Sequence, residues 1–319
     1  MNRVEEIKLP EKVVICEVAP RDGFQAEETW IPTERKIHIV RELAKTGIQS
    51  IEITSFVHPK AIPQLKDAEQ VVKSVQDLTD IKFRALVPNV KGAQRAIDAG
   101  ITKLKLMLSA TDSHSLSNAN CSVEEAQLGF APIIELAAKS GVKVGGSISV
   151  AFGCPYEGKV PLERISTIVE RYTEMGVNEV SLADTTGMAN PKQIYTTLGV
   201  LKKNFPQMTF SMHLHNTRGL AFSNVLAALQ QGIIHFDSSI IGLGGCPYAP
   251  GASGNIATED LAHGLAEMGV ETGINLDKLT IAARNIRELI GHDGGSYILQ
   301  AGPFSQLYDK PHVQEKLEK

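Results

Sequence analysis

The stretch MHLHN, residues 212–216, decides how this chain is read. It has the character of a strand end, and side chains two apart on a strand project to one face. His213 and His215 therefore point the same way. Two neutral imidazoles fixed side by side make half of a divalent-metal site, although two buried histidines without a ligand would share the pattern. The rest of the chain has to supply the other half.

Outward from that stretch, strand-like and helix-like segments alternate. Strands are predicted at 13–19, 50–56, 82–87, 103–109, 144–152, 179–184, 209–215 and 235–241. Helices are predicted at 33–44, 64–75, 91–99, 123–139, 162–175, 191–204, 220–230 and 256–268, most of them stopped by glycine. Eight strand–helix units call for a closed parallel barrel, an α/β fold of the (β/α)8 TIM type. An open doubly wound sheet fits less well, because the turn after the first strand reads Pro20-Arg21-Asp22-Gly23 and lacks GxGxxG. An extra C-terminal helix is predicted at 276–290. The expected division is a catalytic barrel over 1–290 and a peripheral tail over 291–319.

Composition narrows the class. The 319 residues are 43% hydrophobic and 21% charged, with a net charge of −4. That is soluble globular composition without the basic surface of a nucleic-acid binder. The charged start MNRVEEIKLPEK has no apolar run resembling a signal peptide, and no segment approaches the roughly 18 apolar residues of a membrane span. Cys16, Cys121, Cys154 and Cys246 lie far apart with no CxxC spacing, so a reduced cytoplasmic setting is expected.

In such barrels the chemistry sits at the carboxyl ends of the strands. Arg21 and Asp22 fall there after strand one, Glu52 on strand two, Ser109 after strand four, Asp184 after strand six, and the two histidines on strand seven. Asp22, His213 and His215 form a mixed N/O set that the amide oxygen of Asn255 can complete, which suits Mg²⁺, Mn²⁺ or Co²⁺. Taken singly, Asp22 fits a turn and Asn255 a helix N-cap. Asp184 is expected to orient a ligand histidine, and Glu52 to hold Arg21. Cys246, between glycines and a proline, suits a loop that closes over the mouth. Cys154 shares its Cys-Pro-Tyr context, so the tripeptide alone marks nothing. A Schiff-base aldolase would need an inward lysine, Lys103 or Lys105.

Taken in order, the motifs Arg21-Asp22-Gly23-Phe24-Gln25, residues 51–57 (IEITSFV), 152–158 (FGCPYEG), 184–187 (DTTG), 213–217 (HLHNT), 242–249 (GLGGCPYA) and 254–260 (GNIATED) resemble the 3-hydroxy-3-methylglutaryl-CoA lyase family. The resemblance runs from about residue 13 to 289. It implies a metal-dependent barrel that cleaves 3-hydroxy-3-methylglutaryl-CoA, or a closely related 3-hydroxyacyl-CoA, to acetyl-CoA and acetoacetate. The same resemblance implies a homodimer and a place in leucine degradation and ketone-body formation. By it, Asp22, His213, His215 and Asn255 hold Mg²⁺ or Mn²⁺, Arg21 stabilises the acetyl-CoA enolate, Cys246 takes part in proton transfer and Glu52 positions Arg21. Gln25 and Ser55 join Arg21 at the substrate, and Glu259 joins Asp184 in supporting the site. Departures from the family pattern are Phe24, Ala26, Asn216, Ile241 and the lysine-free run 111–120 (TDSHSLSNAN); these bear on the acyl group and the grip on CoA. The alternatives are a condensing enzyme of the isopropylmalate or homocitrate synthase kind, or a barrel that binds metal and acyl-CoA without turnover.

Overall fold

A computed structural model describes residues 7–245 and 254–308. Eight parallel strands close into a barrel: β1 (Val14–Glu17), β2 (Ser50–Ser55), β3 (Lys82–Leu86), β4 (Lys103–Ser109), β5 (Lys143–Ser149), β6 (Glu179–Asp184), β7 (Thr209–Leu214) and β8 (His235–Ser238). Each pairs with its sequence neighbours and β8 closes on β1, the topology that eight successive strand–helix units demand.

The two faces of the barrel differ in chemistry. Leu104, Leu106 and Leu108 of β4, Ile51 of β2, Ile148 of β5 and Leu182 of β6 are buried against the helices and carry the apolar core. The opposite phase turns inward and is polar: Cys16, Glu52, Arg84, Lys105, Ser147, Ser181, Ser211, His213 and Asp237. Strand alternation thus places hydrophobic burial in the strand–helix layer and leaves the lumen for charge.

Local departures from the predicted elements have identifiable causes. The run 123–139 is two helices, Val123–Leu128 and Ala131–Lys139. Pro132 in the first turn of the second helix lacks the N–H that a continuous helix would need. The run 64–75 is a 3₁₀ turn, Pro63–Leu65, followed by the helix Ala68–Lys73. The polar segment after β4 is the helix Asp112–Ala119, closed by Asn120 in the left-handed region. Strand eight stops at Ser238 because Ile240–Gly242 turns as 3₁₀.

Helix Leu276–Ile290 packs on Thr33–Ala44 and Thr258–Glu267. Among the described residues beyond it, 295–298 are tied to the barrel. Gly295 N–H donates to the Ile241 carbonyl at 2.7 Å, and the Asp260 carboxylate accepts from Ser296 Oγ (3.1 Å) and from the amides of Tyr297 (3.0 Å) and Ile298 (2.9 Å).

Candidate active site

Arg21 and Asp22 sit in a five-residue π-turn, Ala19–Gly23, at the end of β1. The Val18 carbonyl accepts from both the Arg21 and Asp22 amides, at 3.0 and 2.7 Å, and the widened turn throws both side chains over the lumen. Asp22 Oδ2 lies 3.8 Å from Nε2 of each of His213 and His215, and the two Nε2 atoms are 3.2 Å apart. Donor atoms of these three residues fall within 4.8 Å of one another, the only such His/Cys/Asp/Glu group among the described residues.

Asn255 joins them from the far side of the mouth. It does not cap the helix Thr258–Glu267, whose N-cap is Ala257; it lies in extended backbone opposite His215 as an isolated bridge. Its Nδ2 donates to Asp22 Oδ2 (2.7 Å) and to the Leu243 carbonyl (3.0 Å), while its buried Oδ1 has no hydrogen-bond partner among the described residues. A buried amide oxygen left unpaired is costly. Beside a carboxylate and two converging imidazole nitrogens, it fits a hard-to-borderline divalent cation. Gly244 makes the approach possible: a Cβ there would lie 2.7 Å from Asn255 Nδ2 and 3.1 Å from Asp22 Oδ2.

Charge is tightly matched. Arg21 donates through Nε to Glu52 and through a terminal nitrogen to Asp22. Burial opposes ionisation of Asp22, but Arg21 and the two imidazoles outweigh it and bring its pKa down to about 2. Burial likewise opposes charge on Glu52, and Arg21, Lys105 and Arg84 hold its carboxyl well below the usual range.

The other expected site residues take varied places. The Asp184 carboxylate accepts from the amides of Met188 (2.8 Å) and Ala189 (3.1 Å) and so ties the turn after β6. Asp237 Oδ2 lies 3.3 Å from His213 Nδ1. That contact selects the tautomer with its proton on Nδ1 and its lone pair on Nε2. Ser55 points into the lumen because a bulge between Glu52 and Thr54 shifts the phase of β2, and its buried Oγ has no hydrogen-bond partner among the described residues. Gln25 is exposed. Cys246 lies outside the described residues. Cys154 is buried and receives hydrogen bonds from Thr111 Oγ1 (3.1 Å) and the Tyr156 amide (3.4 Å), a packing role. Lys105 turns inward and donates to Glu52 and Asp237, whereas Lys103 pairs with Glu179. An ammonium held between two carboxylates is the reverse of the desolvated setting that makes an amine nucleophilic.

Glu259 works at one remove. Both of its oxygens accept from the Ile241 amide at 3.0 Å. Ile241 has φ of 51°, a strained value for a β-branched residue, so Glu259 clamps the turn that launches the Gly242–Gly245 segment. Burial pushes its carboxyl up to about 8 from an ordinary 4.5. Between those values the folded protein keeps a proton that the unfolded chain releases. Its contribution to stability therefore falls as pH rises through that window and is level above it. Glu17, buried and pushed up to about 7, acts in the same direction. The melting temperature is expected to fall from about pH 5 to 8, and Glu259→Gln to flatten that slope; equal slopes in thermal melts would show that Glu259 is already ionised in the folded protein.

Asp237, Arg84 and Glu17 were not singled out from sequence. The available signal was a charged residue in mid-strand, which in a barrel has only the lumen or the helix layer to enter.

A cavity of about 960 Å³ opens beside Asn255 and Gly244, with Trp30, Arg35, Thr217, His292 and Tyr297 among its lining residues. Fold and site together define a (β/α)8 barrel with its polar constellation at the carboxyl ends of the strands, as in barrel enzymes generally. The chain belongs to the HMGL-like family, whose profile matches residues 12–286. It is 45% identical to the hydroxymethylglutaryl-CoA lyase YngG of Bacillus subtilis over 88% of this chain and 94% of that one. It is 41% identical to the cytoplasmic 3-hydroxy-3-methylglutaryl-CoA lyase of Rattus norvegicus over 92% of this chain and 85% of the rat protein. The structure of an HMG-CoA lyase from Acinetobacter baumannii, in complex with coenzyme A and 3-methylmalate, superposes with a TM-score of 0.90 at 42% identity, covering 94% of this chain and 98% of that one.

Proposed function

We propose that this protein is a carbon–carbon lyase that cleaves 3-hydroxy-3-methylglutaryl-CoA to acetyl-CoA and acetoacetate by a retro-Claisen reaction. The observation that carries the reading is the convergence of Asp22, His213 and His215 with the unpartnered Asn255 Oδ1, directly beside Arg21. Support also comes from the family membership and from relatives that bear this activity in their names.

Asp22, His213, His215 and Asn255 would hold Mg²⁺ or Mn²⁺. When bound, the cation supplies Lewis acidity that lowers the pKa of the substrate's tertiary hydroxyl. Arg21, fixed by Glu52 and Asp22, presents a permanent cation where the enolate of acetyl-CoA develops. Glu52 positions that guanidinium. The Cys246 thiol takes part in returning a proton to the enolate carbon, and Gln25 and Ser55 contact the acyl group. The cavity at the mouth has the size expected for a ligand site and is assigned to the acyl-CoA.

A reduced compartment suits a chain in which Cys16, Cys121 and Cys154 are all free, and a cytoplasmic location is proposed on that ground. Among the described residues no helix is long and apolar enough to cross a membrane. A homodimer is proposed by family likeness.

The test is acetoacetate release from 3-hydroxy-3-methylglutaryl-CoA by chelator-stripped protein, with and without added Mg²⁺ or Mn²⁺. Release only after metal addition is the expected result. Release from the stripped protein would sink the metal assignment, and none from metal-loaded protein would sink the substrate assignment.

A further inference from the structure

Four charged side chains meet inside the barrel below the mouth: Glu52 on β2, Arg84 on β3, Lys105 on β4 and Asp237 on β8. The proposed reaction uses Glu52 alone. Glu52 is 0% exposed, Asp237 2% and Lys105 4%, so bulk water screens little of this cluster. Arg84 donates through Nε to Glu52 Oε2 (2.7 Å) and through a terminal nitrogen to Asp237 Oδ2 (2.7 Å). Lys105 Nζ reaches the same two oxygens at 3.0 and 3.2 Å. Both cations therefore bridge the same two carboxylates. The two carboxylates also hold the site: Glu52 turns its other oxygen, Oε1, to Arg21 Nε, and Asp237 meets His213 Nδ1 through the same Oδ2 that the two cations share.

A buried charge cluster is a poor device for stability. Desolvation consumes most of the Coulomb gain, and well-packed apolar replacements are often neutral or stabilising. What the cluster does supply is geometry. Glu52 and Asp237 lie on opposite flanks of the site, on strands separated by β1, and no hydrogen bond joins them directly. The guanidinium fork of Arg84, with two donors at fixed separation, sets the distance between them.

We propose that Arg84 and Lys105 are positioning residues of this enzyme: by bridging Glu52 and Asp237 they hold Arg21 and His213 in one mutual arrangement. Metal affinity and the chemical step then both depend on two side chains that touch neither the cation nor the substrate. The inference rests on the reading above, in which His213 is a ligand and Arg21 acts on the enolate.

The experiment measures Mn²⁺ affinity by titration calorimetry and kcat and KM by steady-state assay on the full chain. Wild type is compared with Arg84→Lys, Arg84→Gln, Lys105→Gln and the control Lys103→Gln, whose native partner is Glu179. Outer partners of metal ligands typically contribute about 10–100-fold in affinity. Arg84→Gln and Lys105→Gln are expected to weaken Mn²⁺ binding by roughly tenfold or more and to lower kcat with little change in KM. Arg84→Lys keeps the charge and loses the fork, so it should fold and still show both losses, while Lys103→Gln shows neither. Wild-type Mn²⁺ affinity and kcat in Arg84→Lys and in whichever glutamine variants fold would overturn the proposal, whatever their melting temperatures. Wild-type protein that binds no Mn²⁺ overturns instead the metal reading beneath it, and the two failures are told apart by that first titration.

Discussion

Replacing Arg21 by methionine is expected to lower kcat by about 10²–10³, the usual consequence of deleting one preorganised donor at a developing oxyanion. Methionine fills the volume of the aliphatic stem but cannot face an enolate with charge. The fold should tolerate the change. Glu52 keeps Arg84 and Lys105 as partners, and Asp22 keeps the Asn255 amide. The stability loss is then smaller than the roughly 3–5 kcal/mol of a buried charge left with no partner. Because Asp22, His213, His215 and Asn255 all remain, Mn²⁺ affinity should be nearly that of wild type. Steady-state kinetics paired with Mn²⁺ calorimetry separates the possibilities. A parallel loss of metal affinity and kcat would make Arg21 a prop for Asp22, with no action of its own on the enolate.

His213→Ala and Asp22→Asn attack the other half of the site. The first removes an imidazole nitrogen 3.2 Å from its neighbour on His215 and abandons Asp237 to its two cations. The second removes the only charge in the proposed ligand set and leaves Arg21 with one carboxylate partner, Glu52. Lewis-acid assistance contributes several kcal/mol to such a transition state, and each 1.36 kcal/mol is a factor of ten. Turnover in either variant is expected to fall by about three decades or more, with Mn²⁺ affinity falling alongside it. Activity near wild type in both, at unchanged far-ultraviolet circular dichroism, would remove the metal assignment.

Much of the architecture was readable before any coordinates. Strand-like runs bounded by turn residues located all eight strands, and glycine stops located most helix ends, since both are properties of short segments. The misplacements were also local in origin. The periodic run 123–139 conceals the break that Pro132 enforces, and the polar run 111–120 forms a helix whose weak amphipathicity gave no periodic signal. Asn255 was legible as a site residue but not as a bridge residue, because the extended backbone it occupies is imposed by pairing with His215 across 40 positions of chain.

The pairing of His213 with His215 needs only the two-residue repeat of a strand, and Arg21-Asp22 needs only the turn after the first strand, so the amino-acid order alone determined the barrel and the family and named the candidate ligand set. Which carboxylate lies beside His213 was decided in three dimensions: parallel register sets Asp237 there, whereas the Asp184 carboxylate meets the Met188 and Ala189 amides. The same holds for the inward turn of Ser55 past a bulge and for the bridge from Arg84 to Asp237 across 153 positions. Strand alternation is a local rule and can be read along the chain. Register, bulges and the meeting of charges inside a closed barrel depend on which strands become neighbours, and that is fixed only when the barrel closes.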